Sequence, residues 1–507
     1  MTPIPAVIAG ISWKHWLRAG LLTAGLTLFI AVGVLVTLVY PPAAILFLAP
    51  VAAAIAAYAP AMRAAPKPII MALIYAGVLL LPLWPVYLHL KLGPLPILTP
   101  PRLLLYAVSA FWLYDMVASR MRRAQLASAF KRGGRIAVPV AALFLLGLLS
   151  LPLAQGKAIA APEFFRQVTI WLIPFLAVAT YVRRARELKA IVLLLTIAAG
   201  VSGAGAVAEY ASGKLLANIL SPFISDGGEW LRVAQAEKIR DGVFRAQFTH
   251  THPLSLGEFL ALMAPVAFAL AIFEKKLGRK LCWGLCLALI FGGAAATASR
   301  GALLAIAFAL AVSGAFCAFR LMRTAGAWRF KPAAGLLASL ALLASPVLAI
   351  GAWQVIAGEP GQSTARSSQG RIDQIEQAWP KIVKRPIGGY GSGRAARVLG
   401  FWGTTLTVDN YYLSLALDLG LPGPVTLAVV FLGMGVLAGR NSRCGRAMSG
   451  VHVGLAGAAG ALFVTRMIVS QTSNLSIMYV LLGAMAGAAT AGALKRKDWR
   501  QGEIAPP

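Results

Sequence analysis

Four arginines and a few candidate proton acceptors stand out from an otherwise apolar chain. Arg300 sits in TASRGALLA, between two apolar runs that are each long enough to cross a bilayer. A cation at a membrane boundary is costly without water or an anionic partner, so its natural chemistry is holding an anion. Arg371 follows in GRIDQIEQAWPKIVKRPIGGYGSG, Arg245 in DGVFRAQFTHTHPLSLGEFLALMAP, and Arg166 in APEFFRQ. The planar guanidinium offers paired donors to phosphate, which a lysine cannot do.

The proton acceptors lie close by in sequence order. Asp409 and Asn410 stand in VDNYYLSLALDLGLPG, just ahead of an apolar run. One of them is expected to cap a helix. A carboxylate at the other position suits removal of a hydroxyl proton. Tyr411 fits an interfacial aromatic belt or a sugar-stacking role. With Asn410, and with Tyr390 inside GGYGSG, it makes a set of candidate sugar contacts. His252, two residues after His250, is the alternative proton acceptor. No Cys/His or carboxylate set accompanies the two histidines, so no metal is expected there. The glycines of GGYGSG permit positive φ and could form an anion nest, although the lysine and preceding strand of a P-loop are missing.

Elements must hold these groups, and the composition says which kind. Of the 507 residues, 59% are hydrophobic and 13% charged, with mean hydropathy +0.75. Soluble domains are nearer 45–50% apolar and about 25% charged. Repeated apolar runs of roughly 18 residues or more match the length of a membrane-crossing helix. The alternating pattern of an outer-membrane barrel is absent. The fold class is therefore all-α, a polytopic helical membrane protein with about 12–14 spans. The runs are 19–39, 42–59, 68–89, 103–119, 136–153, 164–181, 188–211, 254–273, 281–298, 301–318, 333–356, 411–438, 449–468 and 474–493. They form one transmembrane domain over residues 1–507.

Sidedness follows from lysine and arginine. RMRRAQLASAFKRGGR, VRRARE, EKKLGRK, FRLMRTAGAWRFK and GRNSRCGR read as cytoplasmic loops, and both termini fall on that side. Net charge +30 is spread over these short clusters, so no nucleic-acid partner is expected. Two long connections, 212–253 and 357–410, then lie on the opposite face together with Arg166, Arg300 and Arg466. Long connections of this kind usually carry function. Within the second, SSQGRIDQIEQAWPKIVKRP reads as an amphipathic helix. Ile372, Ile375, Trp379 and Ile382 form its apolar stripe, and Arg371 lies in the first turn, off that stripe.

Four pieces in order now carry a resemblance: GVFRAQFTHTHPLSLGEFLA, TASRGALLA, GRIDQIEQAW with RPIGGYGSG, and DNYYLSLALDLGLPG. Over roughly residues 160–490 the chain resembles the bacterial O-antigen ligase and O-antigen polymerase superfamily, multi-spanning glycosyltransferases with a large periplasmic loop. The resemblance implies a donor glycan on undecaprenyl pyrophosphate. It implies inverting transfer to an acceptor hydroxyl of a glycan or lipid, with no metal, cofactor or nucleotide sugar. It implies a bacterial inner-membrane location with the site on the periplasmic face, among membrane lipids and other polysaccharide-assembly proteins. Carried over by motif, Arg300 and Arg371 bind the pyrophosphate, with Arg245 and Arg166 as further candidates. Ligases of the family carry a histidine before the last motif. This chain has Asp409 there, which resembles exopolysaccharide polymerases more than ligases acting on lipid A-core.

A transporter of lipid-linked saccharide, using the same arginines, is the alternative from another class. It requires ionisable residues distributed along a passage through several spans. Here they concentrate at one face, as a one-sided active site requires.

Overall fold

In hydrocarbon a backbone polar group has no partner but the backbone itself, so apolar runs of this length become helices. The computed structural model describes residues 64–89, 98–224, 228–236, 238–324, 362–400, 408–441 and 446–489. The expected spans 19–39, 42–59 and 333–356 lie outside the described residues.

The helices run in order: α1 Lys67–Leu83, α2 Pro100–Ala118, α3 Arg120–Ser150 and α4 Lys157–Tyr181, the last with a π-helical stretch at Val168–Leu172. Then come α5 Ala185–Ser212, α6 Leu216–Leu220, α7 Gly228–Gln235, α8 Pro253–Phe273, α9 Leu277–Ala296 and α10 Arg300–Thr324. The rest are α11 Gln362–Lys384, α12 Ala395–Leu399, α13 Tyr411–Leu419, α14 Pro422–Asn441, α15 Arg446–Thr465 and α16 Leu475–Ala488. Eight described helices are long and apolar enough to cross a membrane, and α1 and α16 are shorter apolar helices. Among the described residues β pairing is confined to isolated bridges, such as Arg240 with Val243 and Ile387 with Gly420. The protein is an all-α polytopic membrane protein.

Two expectations change. The basic segment 120–135 is not a loop but the first half of the 31-residue α3. Its Arg, Met, Gln, Leu, Ala and Lys are good helix formers. The expected span 411–438 is two helices. Gly420, at φ +79°, ends α13, and Leu421 N donates to Pro386 O at 2.8 Å. The sequence LGLPG supplies both the positive-φ stop and the proline that starts α14.

The chain divides into two compact units. In Met1–Ala65 with Leu113–Arg122, the Asp115 carboxylate accepts from Ala65 N at 2.8 Å and pairs with Arg122 Nε at 3.3 Å.

Pro66–Trp112 with Arg123–Pro507 holds the candidate site. Here α8 packs on α9, α10 and α15, α5 packs on α9, and α4 packs on α16. Small residues allow these approaches: a Cβ on Gly293 would lie 2.5 Å from Gly203 Cα, so α5 and α9 touch backbone to backbone. Connections meet at one end of this unit. Thr249 Oγ1 donates to Pro82 O, Ala246 N to Ala296 O, Gln155 N to Tyr390 O and Tyr411 N to Arg466 O. At the other end Glu187 takes Lys67 Nζ at 2.7 Å and the amides of Arg183 and Arg184.

Candidate active site

The site is built where those connections meet. Glu209, near the end of α5, accepts from Gln247 N at 2.8 Å, Phe248 N at 2.7 Å and Leu216 N at 2.6 Å. One buried carboxylate thus pins the segment that carries Arg240, Arg245 and the two histidines. Arg245 is buried, and its Nε donates to Thr297 O at 2.9 Å, in the tight turn that delivers Arg300 to the first position of α10. Ala298 takes φ +46° in that turn, and Ser299 Oγ accepts from Ala302 N.

Arg240, Arg300, Arg371 and Asp409 come from four separate segments, yet they share one electrostatic neighbourhood. Burial first, and then the Arg300 and Arg371 charges, hold the Arg240 guanidinium below its usual value. Asp241 and Asp409 oppose this. Arg300 also feels the Arg371 charge. Burial, and then Arg240, push Arg245 down to about 10, so it remains cationic at neutral pH. Among the described residues neither Arg300 nor Arg371 forms an ion pair. Arg371 Nε and Arg245 Nη2 are buried donors with no hydrogen-bond partner among those residues. Buried charged donors left without partners are expensive, so the cluster is suited to an anion of high charge.

Arg371 does not lie in the first turn of its helix, because α11 begins well before it, at Gln362. Its position in the middle of a helix sets it beside Gln374 on the side facing the protein. Gln374 Oε1 in turn accepts from Asp409 N at 2.9 Å. Asn410, not Asp409, caps α13, with Oδ1 accepting from Leu413 N at 3.1 Å. The half-buried Asp409 carboxylate is therefore not consumed by capping.

His252 caps α8, with Nδ1 accepting from Leu254 N at 3.1 Å. That bond requires the neutral ring to carry its proton on Nε2. Burial, and then Arg245 and Lys238, push His252 down to about 3. Burial pushes His250 down to about 4.

Arg166 forks onto Glu163, at 2.8 and 2.5 Å, and lies over the Trp171 ring. It lines a cavity of about 470 Å³ together with Arg102, Tyr106, His252, Gln471 and Asn474. A second cavity of about 300 Å³ holds Glu163, Gln167, Ser414 and Tyr411. Trp171 and Thr472 form the wall common to both.

Tyr411 is buried beneath the Arg466 guanidinium, 5.3 Å from its ring centre. The Tyr390 hydroxyl donates to Lys381 O at 3.0 Å, and its ring packs with Ala378, Ile382 and Leu417.

The GGYGSG loop does form a nest, but its anion is the chain's own. Gly393, Arg394 and Ala395 amides donate to the Asp418 carboxylate at 2.8, 2.9 and 2.7 Å. Sequence reading missed Asp418 and Arg102 as members of the site's framework. The signal for Asp418 was a single acid inside the apolar stretch SLALDLGL.

Fold and cluster together define a helical membrane protein with a cluster of arginines at one end of its bundle. Residues 285–428 match the family model described as O-antigen ligase, a stretch that contains Arg300, Arg371, Asp409 and Asp418. Over that stretch, little more than a quarter of its length, the chain is similar to the O-antigen ligase family. No curated protein matches the chain.

Proposed function

We propose that the chain polymerises a glycan carried on undecaprenyl pyrophosphate, at the periplasmic face of the bacterial inner membrane. The observation that carries this reading is the convergence of Arg240, Arg300, Arg371 and Asp409 from distant segments. Arg300 and Arg371 hold the pyrophosphate, and Arg245 and Arg240 raise the local positive potential. Arg166, already forked onto Glu163, has less charge to offer and orients sugar in the larger cavity.

Asp409 accepts the proton of the acceptor hydroxyl. That oxygen bonds to the anomeric carbon from the face opposite the leaving group. The bond from that carbon to the pyrophosphate oxygen breaks, and undecaprenyl pyrophosphate departs carrying the electron pair. Fixed cations aimed at a departing anion stabilise the transition state without reorganising, so the transfer needs no metal. His252 is the weaker acceptor, because its Nδ1 lone pair is taken by Leu254 N–H and its basicity is low. Asn410 and Tyr411 position the acceptor sugar from the start of α13.

The test is purified protein in nanodiscs with an undecaprenyl-pyrophosphate-linked repeat unit and no divalent metal. A ladder of longer lipid-linked glycans is expected. Transfer only after lipid A-core is added would replace the polymerase with a ligase. An intact donor after both additions would remove the glycosyl-transfer reading.

A further inference from the structure

The sequence stripe of α11 does not face the protein. Ile372 is 50% exposed, Ile375 48% and Trp379 58%, whereas Ile382 is buried. At 3.6 residues per turn the helix has three faces. Gly370, Gln374, Ala378 and Ile382 are buried on the first. Asp373, Gln377 and Lys384 make a polar second face. Ile372, Ile375, Trp379 and Val383 make an outward apolar third.

The third face does not end with the helix. Ile387, 77% exposed, extends it. The chain there is fastened to two candidate spans: Arg385 Nη1 donates to Leu153 O at 3.0 Å, just past α3, and Pro386 O accepts from Leu421 N at 2.8 Å, just before α14. Those spans expose their own apolar rows at the same place. Leu145, Leu149 and Leu153 lead up from α3, and Leu421, Val425, Val429 and Leu432 run along α14. Among the described residues, the row on α11 thus continues the exposed apolar rows of two candidate membrane spans.

We infer that α11 is an interfacial helix, seated in the phospholipid leaflet on its own side of the membrane with Ile372, Ile375, Trp379 and Val383 among the acyl chains. Its composition fits. The apolar and polar faces are separate, tryptophan favours headgroup depth, and Lys384 can reach outward past the helix. The consequence, which rests on the function proposed above, is that Arg371 on the protein face is held at the depth where a lipid pyrophosphate lies. The bilayer itself then sets the height of one phosphate-binding side chain.

The test reads depth, not activity. Single cysteines at 372, 375, 379 and 383, and at 373, 377 and 384, would be placed in the full chain with Cys282, Cys286, Cys317 and Cys444 replaced. Each would be labelled with bimane in nanodiscs of phosphatidylethanolamine and phosphatidylglycerol. Doxyl-labelled phospholipid should quench the first set several-fold more than the second, and aqueous iodide should do the reverse. Uniform iodide quenching of both sets would overturn the proposal. So would protection of the first set from both quenchers, which would make another segment of protein the occupant. If the cysteine-free background does not fold, photo-crosslinking from benzoylphenylalanine at 379 to lipid replaces the quenching. Adducts only to protein would count against the proposal. Correct quenching with no glycosyl transfer would leave the interfacial helix standing and the proposed function in doubt.

Discussion

Arg466 Nη2 lies 2.5 Å from Glu258 Oε1, and both side chains are essentially removed from solvent, at 0% and 1% exposure. The pair joins the ends of α8 and α15. Around it, Asn474 Nδ2 donates to Glu258 Oε2 at 3.0 Å, Arg466 Nη1 donates to Gln471 O at 2.7 Å, and Arg466 O accepts from Tyr411 N at 2.9 Å. Arg466, through its guanidinium and its carbonyl, therefore fixes the start of α8 below His252, the 471–474 wall of the larger cavity, and the residue that follows Asp409 and Asn410.

Removing one member should cost far more than removing both. Arg466→Ala leaves a buried carboxylate unpaired, and a loss of roughly 3–5 kcal/mol is expected for breaking such a pair. It should appear as a large fall in melting temperature in detergent. Arg466→Met with Glu258→Leu should recover much of that stability, though not transfer activity. Equal melting temperatures for the single and double variants would refute the pairing as a strut.

Asp409 and His252 should separate cleanly. Asp409→Asn keeps the shape and removes the proton acceptor, and a fall in kcat of about 10²–10⁴ is expected for loss of a general base. His252→Asn keeps an N-capping side chain and should retain most activity. Loss of turnover in His252→Asn with normal turnover in Asp409→Asn would reverse the assignment.

The nest around Asp418 gives a backbone prediction. Gly389 sits at φ +55°, and a Cβ there would come 2.6 Å from Asp418 O. Gly389→Ala should lower the melting temperature and activity together. Asp418→Asn should weaken three amide hydrogen bonds and do the same, at about 0.5–1.5 kcal/mol for each bond. Unchanged stability in both variants would show that the loop is held by other contacts.

The histidines set an acid limit. Folding lowers His250 to about 4 and His252 to about 3, from 6.5. Between those values and 6.5 the unfolded chain binds more protons than the folded one, so stability falls as pH drops below about 6.5. Melting temperature in detergent should decline from pH 7 to pH 5, and His250→Gln should flatten the profile. A profile that rises toward pH 5 would contradict the buried neutral state.

Much of this was legible in the sequence because hydrocarbon imposes one solution. Ten of the apolar runs reappear as helices, although the helix of run 136–153 already begins at Arg120, and Arg300 stands at a helix start as TASRGALLA suggested. What was hidden depended on pairing. The single acid of SLALDLGL gave no hint that its partners would be the amides of GGYGSG. Glu258 is an acid within an apolar run, but only the fold brings it to Arg466. The stripe on α11 was visible, but not its direction, because a helix at a membrane boundary has two apolar sides to choose from. The break between α13 and α14 was written in LGLPG and masked by the apolar residues on either side.

The most direct measurement is metal-free transfer from an undecaprenyl-pyrophosphate-linked glycan by Arg300→Ala and Arg371→Ala in nanodiscs, beside their lysine counterparts. Each alanine variant should elute and melt like the parent while losing about 10²–10³ or more in turnover, the scale expected when a transition-state donor is removed. The lysine variants should recover only part of it, because a point charge cannot replace paired donors. Near-normal turnover in either alanine variant would contradict the claim that these two arginines hold the departing pyrophosphate.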